Sequence, residues 1–218
     1  RSDSAGIYVN SETGHDYLVK EPGKISVLEA AVGPEVQGTI GVGHTRWATH
    51  GVASRDNAHP HVSEDGRFYL VHNGVLTNYL ALKETYLEDV HFVSQTDTEV
   101  AVQLIAYLAK TEQLSAKEAF RKALTLIEGS YAFVMVDRDD PDTLYVAKNK
   151  SPLLIGVGDG FNVVCSDALA MLNETKDFIE IHDREMVTLT KQSVQIEDLD
   201  GTFIHRESYH VEMDADAV

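Results

Sequence analysis

Cysteine, basic residues and long apolar runs are all scarce in this sequence of 218 residues. Cys165 is the only cysteine, so no disulfide can form within the chain, which fits a reducing compartment. Lysine and arginine number 18 against 35 aspartates and glutamates, and the net charge of −17 disfavours nucleic acid and anionic membranes as partners. No apolar run approaches the ~20 residues that span a bilayer, and the first residues carry no apolar signal segment. We therefore expect a cytoplasmic protein.

The apolar fraction of 43% is large enough to build a core. At roughly 100–200 residues per domain, the length fits one large domain or two small ones, and no linker or internal repeat divides the chain. Much of the acidic charge lies in the final stretch, residues 197–216, which we interpret as a solvated surface.

Hydrophobic periodicity predicts strands that follow one another directly and helices that are grouped, which indicates an α+β fold with antiparallel sheets. Two helices are predicted to begin at capping boxes, Thr96–Glu99 and Ser115–Glu118, and other helices at residues 24–32, 78–87 and 167–172. Residues 51–66 are predicted to form a long polar loop, a feature that is often functional in compact domains. The predicted strands cover residues 5–9, 16–20, 39–47, 67–72, 131–137, 143–147, 153–157, 162–165, 178–181, 186–190, 194–196 and 202–205.

The most unusual segment is Gly43–Gly51, which reads GHTRWATHG. It follows a predicted buried strand and places the guanidinium of Arg46 among small and hydroxyl-bearing residues. A guanidinium is suited to two-pronged capture of a carboxylate. The alternative is a structural ion pair of Arg46 in the core beside Trp47, and the local sequence does not decide between the two.

His72-Asn73-Gly74 and Asp97 also allow two interpretations each. Asn-Gly is a strong hairpin signal, but a predicted helix follows soon after it, which weakens the hairpin interpretation. A side-chain amide beside a glycine N–H at a strand end can instead form an oxyanion hole. Asp97 lies in a capping box, which explains it without any function, but a carboxylate at a helix start can also face an ammonium group.

The histidines and the cysteine suggest sites that we consider less favoured. His59-Pro60-His61 is a short pair without the cysteine or HExxH partners typical of a metal site, so we predict no metal. Three further histidines, His44, His50 and His72, lie nearby in the sequence. Cys165 ends an apolar segment and is expected to be a small buried hydrophobe rather than a nucleophile.

Taken together, the segments resemble the glutaminase domain of the glucosamine-6-phosphate synthase family, in family order and across essentially the whole chain. The matching segments are Asp3–Ile7, Gly43–Gly51, Asn57–His61, His72–Gly74, Thr96–Glu99 and Ser166–Ala170. The resemblance implies an N-terminal-nucleophile hydrolase fold, a four-layer αββα sandwich of two antiparallel sheets, without a cofactor.

The resemblance also implies a role for each site residue. Arg46 would bind the α-carboxylate of glutamine, helped by backbone groups of Thr49 and His50. Asp97 and the Gly74 carbonyl would bind the α-ammonium group. The side-chain N–H of Asn73 and the backbone N–H of Gly74 would form the oxyanion hole, and Trp47 would gate the route for ammonia.

The sequence departs from the family at its start. Family members begin with a nucleophilic cysteine shortly before the position of Asp3, and this sequence has none there, so we expect residues 1–218 to bind glutamine or glutamate without hydrolysing the amide. The resemblance further implies a sugar isomerase domain after these residues and a homodimer of the full-length enzyme. Two alternatives stay open: the glutaminase domain of another amidotransferase, such as amidophosphoribosyltransferase, and a non-catalytic glutamine-binding module. Trp47 favours the sugar enzyme.

Overall fold

The computed structural model describes the backbone of residues 4–10, 16–22 and 40–46, and residues 54, 56–140, 142–159, 162–166, 172 and 175–212 in full. Within these ranges the chain forms fourteen strands and three helices. The helices are α1 (Tyr79–Tyr86), α2 (Asp97–Thr111) and α3 (Ala116–Leu126). No helix of the described ranges is both long and apolar enough to cross a membrane.

The strands are β1 (Ser4–Asn10), β2 (Asp16–Pro22), β3 (Ile40–Arg46), β4 (His61–Val62), β5 (Phe68–Asn73), β6 (Tyr131–Asp137), β7 (Leu144–Asn149), β8 (Leu154–Val157), β9 (Asn162–Cys165), β10 (Asp177–Glu180), β11 (Glu185–Leu189), β12 (Val194–Asp198), β13 (Phe203–Ile204) and β14 (Tyr209–His210). They form three hydrogen-bonded groups, in the orders β2-β1-β3, β14-β10-β8-β9 and β13-β12-β11-β7-β6-β5-β4. Every pairing of named strands is antiparallel. The predicted antiparallel α+β architecture is therefore confirmed.

The central layer is the seven-stranded sheet, which is apolar on both faces. Alternation along β6 shows this, because Tyr131, Phe133 and Met135 pack against the helices while Ala132 packs on the opposite face. On that opposite face, Ile155 of the four-stranded sheet joins the apolar cluster. Successive side chains of a strand point to opposite faces, so one strand contributes to two cores. The described layers are thus helices, sheet and second sheet.

Both predicted capping boxes begin helices where expected. The hydroxyl oxygens of Thr96 and Ser115 accept the backbone N–H groups three residues later, at 3.2 Å in each case. Nearly all of α2 is buried, whereas α3 buries one stripe through Ala119, Phe120 and Ala123. Capping satisfies an N–H group that the first helical turn cannot pair internally, and it fixes where the helix starts.

The other predicted elements differ from the structure mainly at their ends. The loop predicted over residues 51–66 contains the short strand β4, and β14 was not predicted. The helices predicted at residues 24–32 and 167–172 lie outside the described residues, apart from position 172, which is a turn.

The prediction that residues 197–216 form a solvated acidic surface is wrong for Glu197. The residue Glu197 is 1% exposed, because its face of β12 lies under α3. Its carboxylate lies 2.8 Å from both the Lys117 ammonium and the Arg121 guanidinium. A carboxylate can be buried when cations and hydrogen bonds replace its water.

Candidate functional site

The predicted site residues that the structure describes lie at the ends of strands and at the start of a helix. Arg46 is the last residue of β3, where its backbone pairs with Ser4 of β1. Cα atoms of β3 and β5 approach within 8 Å, so the strand that carries Arg46 adjoins the strand that ends at Asn73. Asp97 is the first residue of α2. The side chain of Arg46 and the predicted site residues Trp47, Thr49 and His50 lie outside the described residues.

Gly74, directly after β5, has a backbone conformation that requires glycine. Its φ angle is +127°, a region that L side chains rarely adopt. A Cβ atom at this position would lie 2.3 Å from the carbonyl oxygen of Ser130. The Asn-Gly pair is therefore not a hairpin turn, since β5 pairs with β6 only after three intervening helices. This confirms that the simple hairpin interpretation does not apply.

Neither the N–H nor the C=O of Gly74 has a hydrogen-bond partner within the described ranges. The neighbouring amides are engaged: Val75 N–H donates to the Ser130 hydroxyl and Leu76 N–H donates to a carboxylate oxygen of Asp97. Buried or half-buried backbone groups are normally paired. A partly buried glycine with both groups available can donate to and accept from a ligand.

The Asp97 carboxylate is buried beside this glycine segment. The residue is 3% exposed, and its Oδ2 accepts the Leu76 N–H at 2.8 Å. Asp97 also occupies the first turn of α2, where the positive end of the helix dipole favours a negative charge. The buried Asp97 carboxylate therefore binds the N–H of Leu76, which lies two residues after Gly74 in the chain.

The capping box at the start of α2 is only half formed. Thr96 caps the helix as predicted, but the Glu99 carboxylate does not return to the Thr96 N–H. It accepts the N–H groups of Val93 and Ser94 instead, at 3.0 and 2.6 Å. The Thr96 N–H donates to the Ser94 hydroxyl at 3.2 Å. Capping therefore explains Thr96, and Glu99 holds the loop before the helix, but neither role needs Asp97.

The histidines form a buried network with threonine hydroxyls. His72 Nδ1 lies 2.9 Å from the Thr98 hydroxyl, and His59 Nε2 lies 3.4 Å from the same oxygen. His61 Nε2 lies 3.0 Å from the Thr96 hydroxyl. Within the described part of the chain, no three His, Cys, Asp or Glu side chains are grouped so that they could hold a metal ion.

Two backbone groups fix the hydrogen positions in this network. The His72 N–H can only donate, so His59 Nδ1, at 3.2 Å, accepts and carries no hydrogen. The Ser130 carbonyl can only accept, so His72 Nε2, at 3.2 Å, donates. His59 is thus neutral, with its hydrogen on Nε2 facing Thr98. The network links β5, the start of α2 and Ser130 around the Asn73–Gly74 segment.

Ser130 is a residue of this region that the sequence did not point to. It precedes β6 directly, and a Gly-Ser pair between a helix and a strand indicates only a connection. Its backbone and side chain both contact the Gly74 segment, 55 positions away in the sequence. The constraint that could have revealed it is the positive φ angle of Gly74, which a sequence alone does not display.

Cys165 ends β9, opposite Leu154 of β8. It is half-buried, so the expectation of a fully buried small hydrophobe is wrong in degree. Asp97, Asn73 and Gly74 belong to other elements, around the end of β5 and the start of α2.

A cavity of about 490 Å³ lies elsewhere, against the outer parts of α1 and α2. Tyr86, Tyr107, Gln103 and several carboxylates line it, and the described site residues Asn73, Gly74 and Asp97 do not. The predicted glutamine site is therefore not this cavity.

Comparison with known proteins agrees with the geometry. The sequence model of one protein family, described as the glutamine amidotransferase domain, matches residues 44–174. A glutamine–fructose-6-phosphate aminotransferase [isomerizing] of Lactiplantibacillus plantarum is 61% identical over 98% of this chain, and one of Lactococcus lactis is 57% identical over 97%. The chain spans 35% of the length of each of these relatives.

Solved structures show the same fold. A glutamine phosphoribosylpyrophosphate amidotransferase from B. subtilis, complexed with ADP and GMP, superposes with a TM-score of 0.77 at 25% identity, over 93% of this chain and 44% of that one. A structure titled the allosteric regulatory enzyme of purine biosynthesis gives a TM-score of 0.74 at 26% identity, over 91% of this chain and 43% of its own. The fold is that of the N-terminal-nucleophile amidotransferases, an αββα sandwich.

The family match over more than half of the chain, the ordered motifs and the shared fold lead to one assignment. The chain belongs to the glutamine amidotransferase domain family, and it is similar to the part of the glutamine–fructose-6-phosphate aminotransferases that carries this domain.

Proposed function

We propose that residues 1–218 form the glutaminase domain of a glucosamine-6-phosphate synthase. The observation that carries this proposal is the Gly74 segment. The N–H and C=O of Gly74 have no partner among the described residues, and the buried Asp97 carboxylate binds the N–H of Leu76, two residues further along the chain. A glutamine backbone offers one anion and one cation, and a polar site of this kind must match both. The acidic background of the chain, with a net charge of −17, makes a dedicated cation for the carboxylate necessary.

The α-carboxylate and the α-ammonium group of glutamine each have a proposed partner. Arg46 binds the α-carboxylate with both prongs of its guanidinium, and backbone groups of Thr49 and His50 add hydrogen bonds. Asp97 and the Gly74 carbonyl bind the α-ammonium group. The close approach of the β3 and β5 backbones supports placing Arg46 and Asn73 in one region of the fold.

The chemistry is amide hydrolysis through a thioester. We propose that a cysteine N-terminal to these residues supplies the thiolate, with its own α-amino group as the general base, since an α-amino pKa near ~8 suits neutral conditions. The thiolate attacks the side-chain carbonyl carbon of glutamine, and the carbonyl oxygen becomes an oxyanion. The Asn73 side-chain N–H and the Gly74 N–H donate to that oxygen. The α-amino group passes the proton that it took from the thiol to the amide nitrogen, and collapse of the intermediate expels ammonia. Water then hydrolyses the thioester to give glutamate and the free thiol.

The oxyanion hole accounts for a large share of the expected rate. Loss of one such donor typically costs about 3–4 kcal/mol in the barrier. The Gly74 N–H has no hydrogen-bond partner among the described residues, and the Ser130 hydroxyl holds the neighbouring Val75 N–H. Trp47 is proposed to gate the passage of ammonia out of the site.

The longer protein is proposed to contain a sugar isomerase domain and to act as a homodimer that converts fructose-6-phosphate to glucosamine-6-phosphate. The relatives' printed name and their greater length support the reaction and the further domain. The homodimer is proposed from the family resemblance alone. The phosphoribosylpyrophosphate amidotransferase alternative shares the fold at 25% identity, against 61% for the sugar enzyme, so sequence favours the sugar enzyme.

The carboxylate role is tested by replacing Arg46 with alanine. We expect binding of L-glutamate, measured by isothermal titration calorimetry, to fall below detection, because the carboxylate loses a charge-assisted pair of hydrogen bonds. The exposed Arg138 offers a matched control, since Arg138→Ala changes the net charge equally. Unchanged affinity in Arg46→Ala would contradict the proposal. Glutamine binding without hydrolysis in the full-length protein would support the non-catalytic module instead.

A further inference from the structure

Ser130 contacts the Gly74 segment through three different groups. Its hydroxyl oxygen accepts the Val75 N–H at 3.0 Å, and its own N–H donates to the Val75 carbonyl at 3.0 Å. Its carbonyl oxygen lies 2.3 Å from the position that a Cβ of Gly74 would take, and it accepts the His72 Nε2–H at 3.2 Å. Ser130, which lies in the connection between α3 and β6, therefore contacts the end of β5 at several points, and the proposed site depends on this strand end.

The hydroxyl contact sets the orientation of one peptide plane. The Gly74 carbonyl and the Val75 N–H belong to the same peptide group, and in a planar trans peptide these two bonds point in opposite directions. When the Ser130 hydroxyl holds the N–H, the Gly74 carbonyl must point away from Ser130. Glycine has the lowest barrier to rotating such a plane, because it lacks a Cβ. Without the hydroxyl, little in this connection fixes the carbonyl direction.

The next peptide is fixed independently. The Leu76 N–H donates to Asp97 Oδ2, so the segment is held at Leu76 by the carboxylate and at Val75 by the hydroxyl. The Gly74 carbonyl, which accepts no hydrogen bond from the described residues, lies just before these two fixed points. Its direction therefore depends on the Ser130 hydroxyl more than on Asp97.

We propose that Ser130 is a positioning residue for recognition of the substrate's α-ammonium group, acting through the Gly74–Val75 peptide plane that its hydroxyl holds. This proposal rests on the proposed function, in which the Gly74 carbonyl and Asp97 bind that ammonium group. Ser130 itself touches neither the ammonium nor the scissile amide. Removal of the Ser130 hydroxyl weakens the binding of ligands that carry the α-ammonium group and leaves the binding of ligands that lack it unchanged.

The test compares two ligands that differ only in this group, L-glutamate and glutarate. Dissociation constants for both come from NMR titrations of the 218-residue chain, which measure weak binding. The unsubstituted chain should prefer L-glutamate. Ser130→Ala should lower that preference about tenfold, the size expected when one hydrogen bond to a charged group is lost. Glutarate should bind both proteins equally.

Two further variants separate positioning from general destabilisation. Ser115→Ala also removes a hydroxyl that accepts a backbone N–H, at the start of α3, and it should lower stability without changing the ligand preference. Ser130→Thr keeps the hydroxyl and should restore the preference. If Ser130→Ala keeps the full preference for L-glutamate while folded, the positioning role is wrong. If the unsubstituted chain shows no preference at all, the ammonium site, and with it the proposed function, is wrong instead.

Discussion

Gly74→Ala adds one methyl group at the point where β5 ends and the proposed site begins. The added Cβ would lie 2.3 Å from the Ser130 carbonyl oxygen, whereas real Cβ atoms essentially never come within 3.0 Å of another heavy atom. One of the two segments must therefore move by at least about 0.7 Å, the difference between these distances. The obstacle is a backbone atom of a hydrogen-bonded connection, so it cannot be relieved by rotating a side chain.

The cost has two parts. A residue with a side chain at a φ angle of +127° carries about 1–3 kcal/mol of backbone strain. Overpacking against a fixed neighbour adds typically about 1–3 kcal/mol. We therefore expect Gly74→Ala to lower the free energy of unfolding by about 2–6 kcal/mol in urea denaturation. L-Glutamate should also bind at least tenfold more weakly, since a displaced carbonyl loses a hydrogen bond to a charged group.

Gly201→Ala supplies the control for backbone strain alone. Gly201 also has a positive φ angle, +87°, but its nearest neighbour is the flexible Arg121 side chain at 3.7 Å. Its replacement should cost only about 1–2 kcal/mol and leave glutamate binding unchanged. The reasoning about the Ser130 contact is refuted if the two variants lose equal stability and bind L-glutamate with equal affinity.

Two further predictions concern other parts of the molecule. Burial raises the pKa of Glu185, but the Arg206 guanidinium and the His182 N–H outweigh it and hold the pKa below its usual range. This stabilisation is complete above the unfolded-state pKa of about 4.3 and is lost as pH falls through the lower folded-state pKa. Arg206→Ala should therefore lower the free energy of unfolding by about 3 kcal/mol at pH 7, the lower end of the range for breaking a buried ion pair. In urea denaturation series, this loss should become progressively smaller below about pH 4. A loss that does not change with pH would contradict the ion-pair account. Cys165→Ala should leave glutaminase activity of the full-length protein intact, and a large loss would overturn the assignment of Cys165 as a non-catalytic residue.

The features that the sequence predicted well depend on contacts between residues that are close together in the chain. The starts of α2 and α3 follow from Thr96 and Ser115, whose hydroxyls bind N–H groups only three residues away. Strand positions follow from alternation and from turn residues, which are also local. A helix predicted close behind Asn73-Gly74 weakened the hairpin interpretation of this pair, and the structure confirms the absence of the hairpin. The site role of the pair came from the family resemblance and stays a prediction.

What the sequence could not give depends on contacts between distant segments. Ser130 is ordinary in its local setting and becomes important only because β6 brings it against Gly74. Glu197 looks like surface charge until α3 covers it with Lys117 and Arg121. The destinations of the histidines were equally hidden, because the threonine hydroxyls that they meet lie 26 to 39 positions away.

The Asp97–Leu76 and Ser130–Val75 hydrogen bonds close loops of 21 and 55 residues around a single strand end. Such contacts form only after the chain has met the entropic cost of closing those loops, so no isolated hairpin or helix pair of this domain contains the site. A ligand that binds there stabilises only the completed domain. Glutamate affinity is therefore a measure of how much of a sample has folded completely, and partly folded species should be invisible to it.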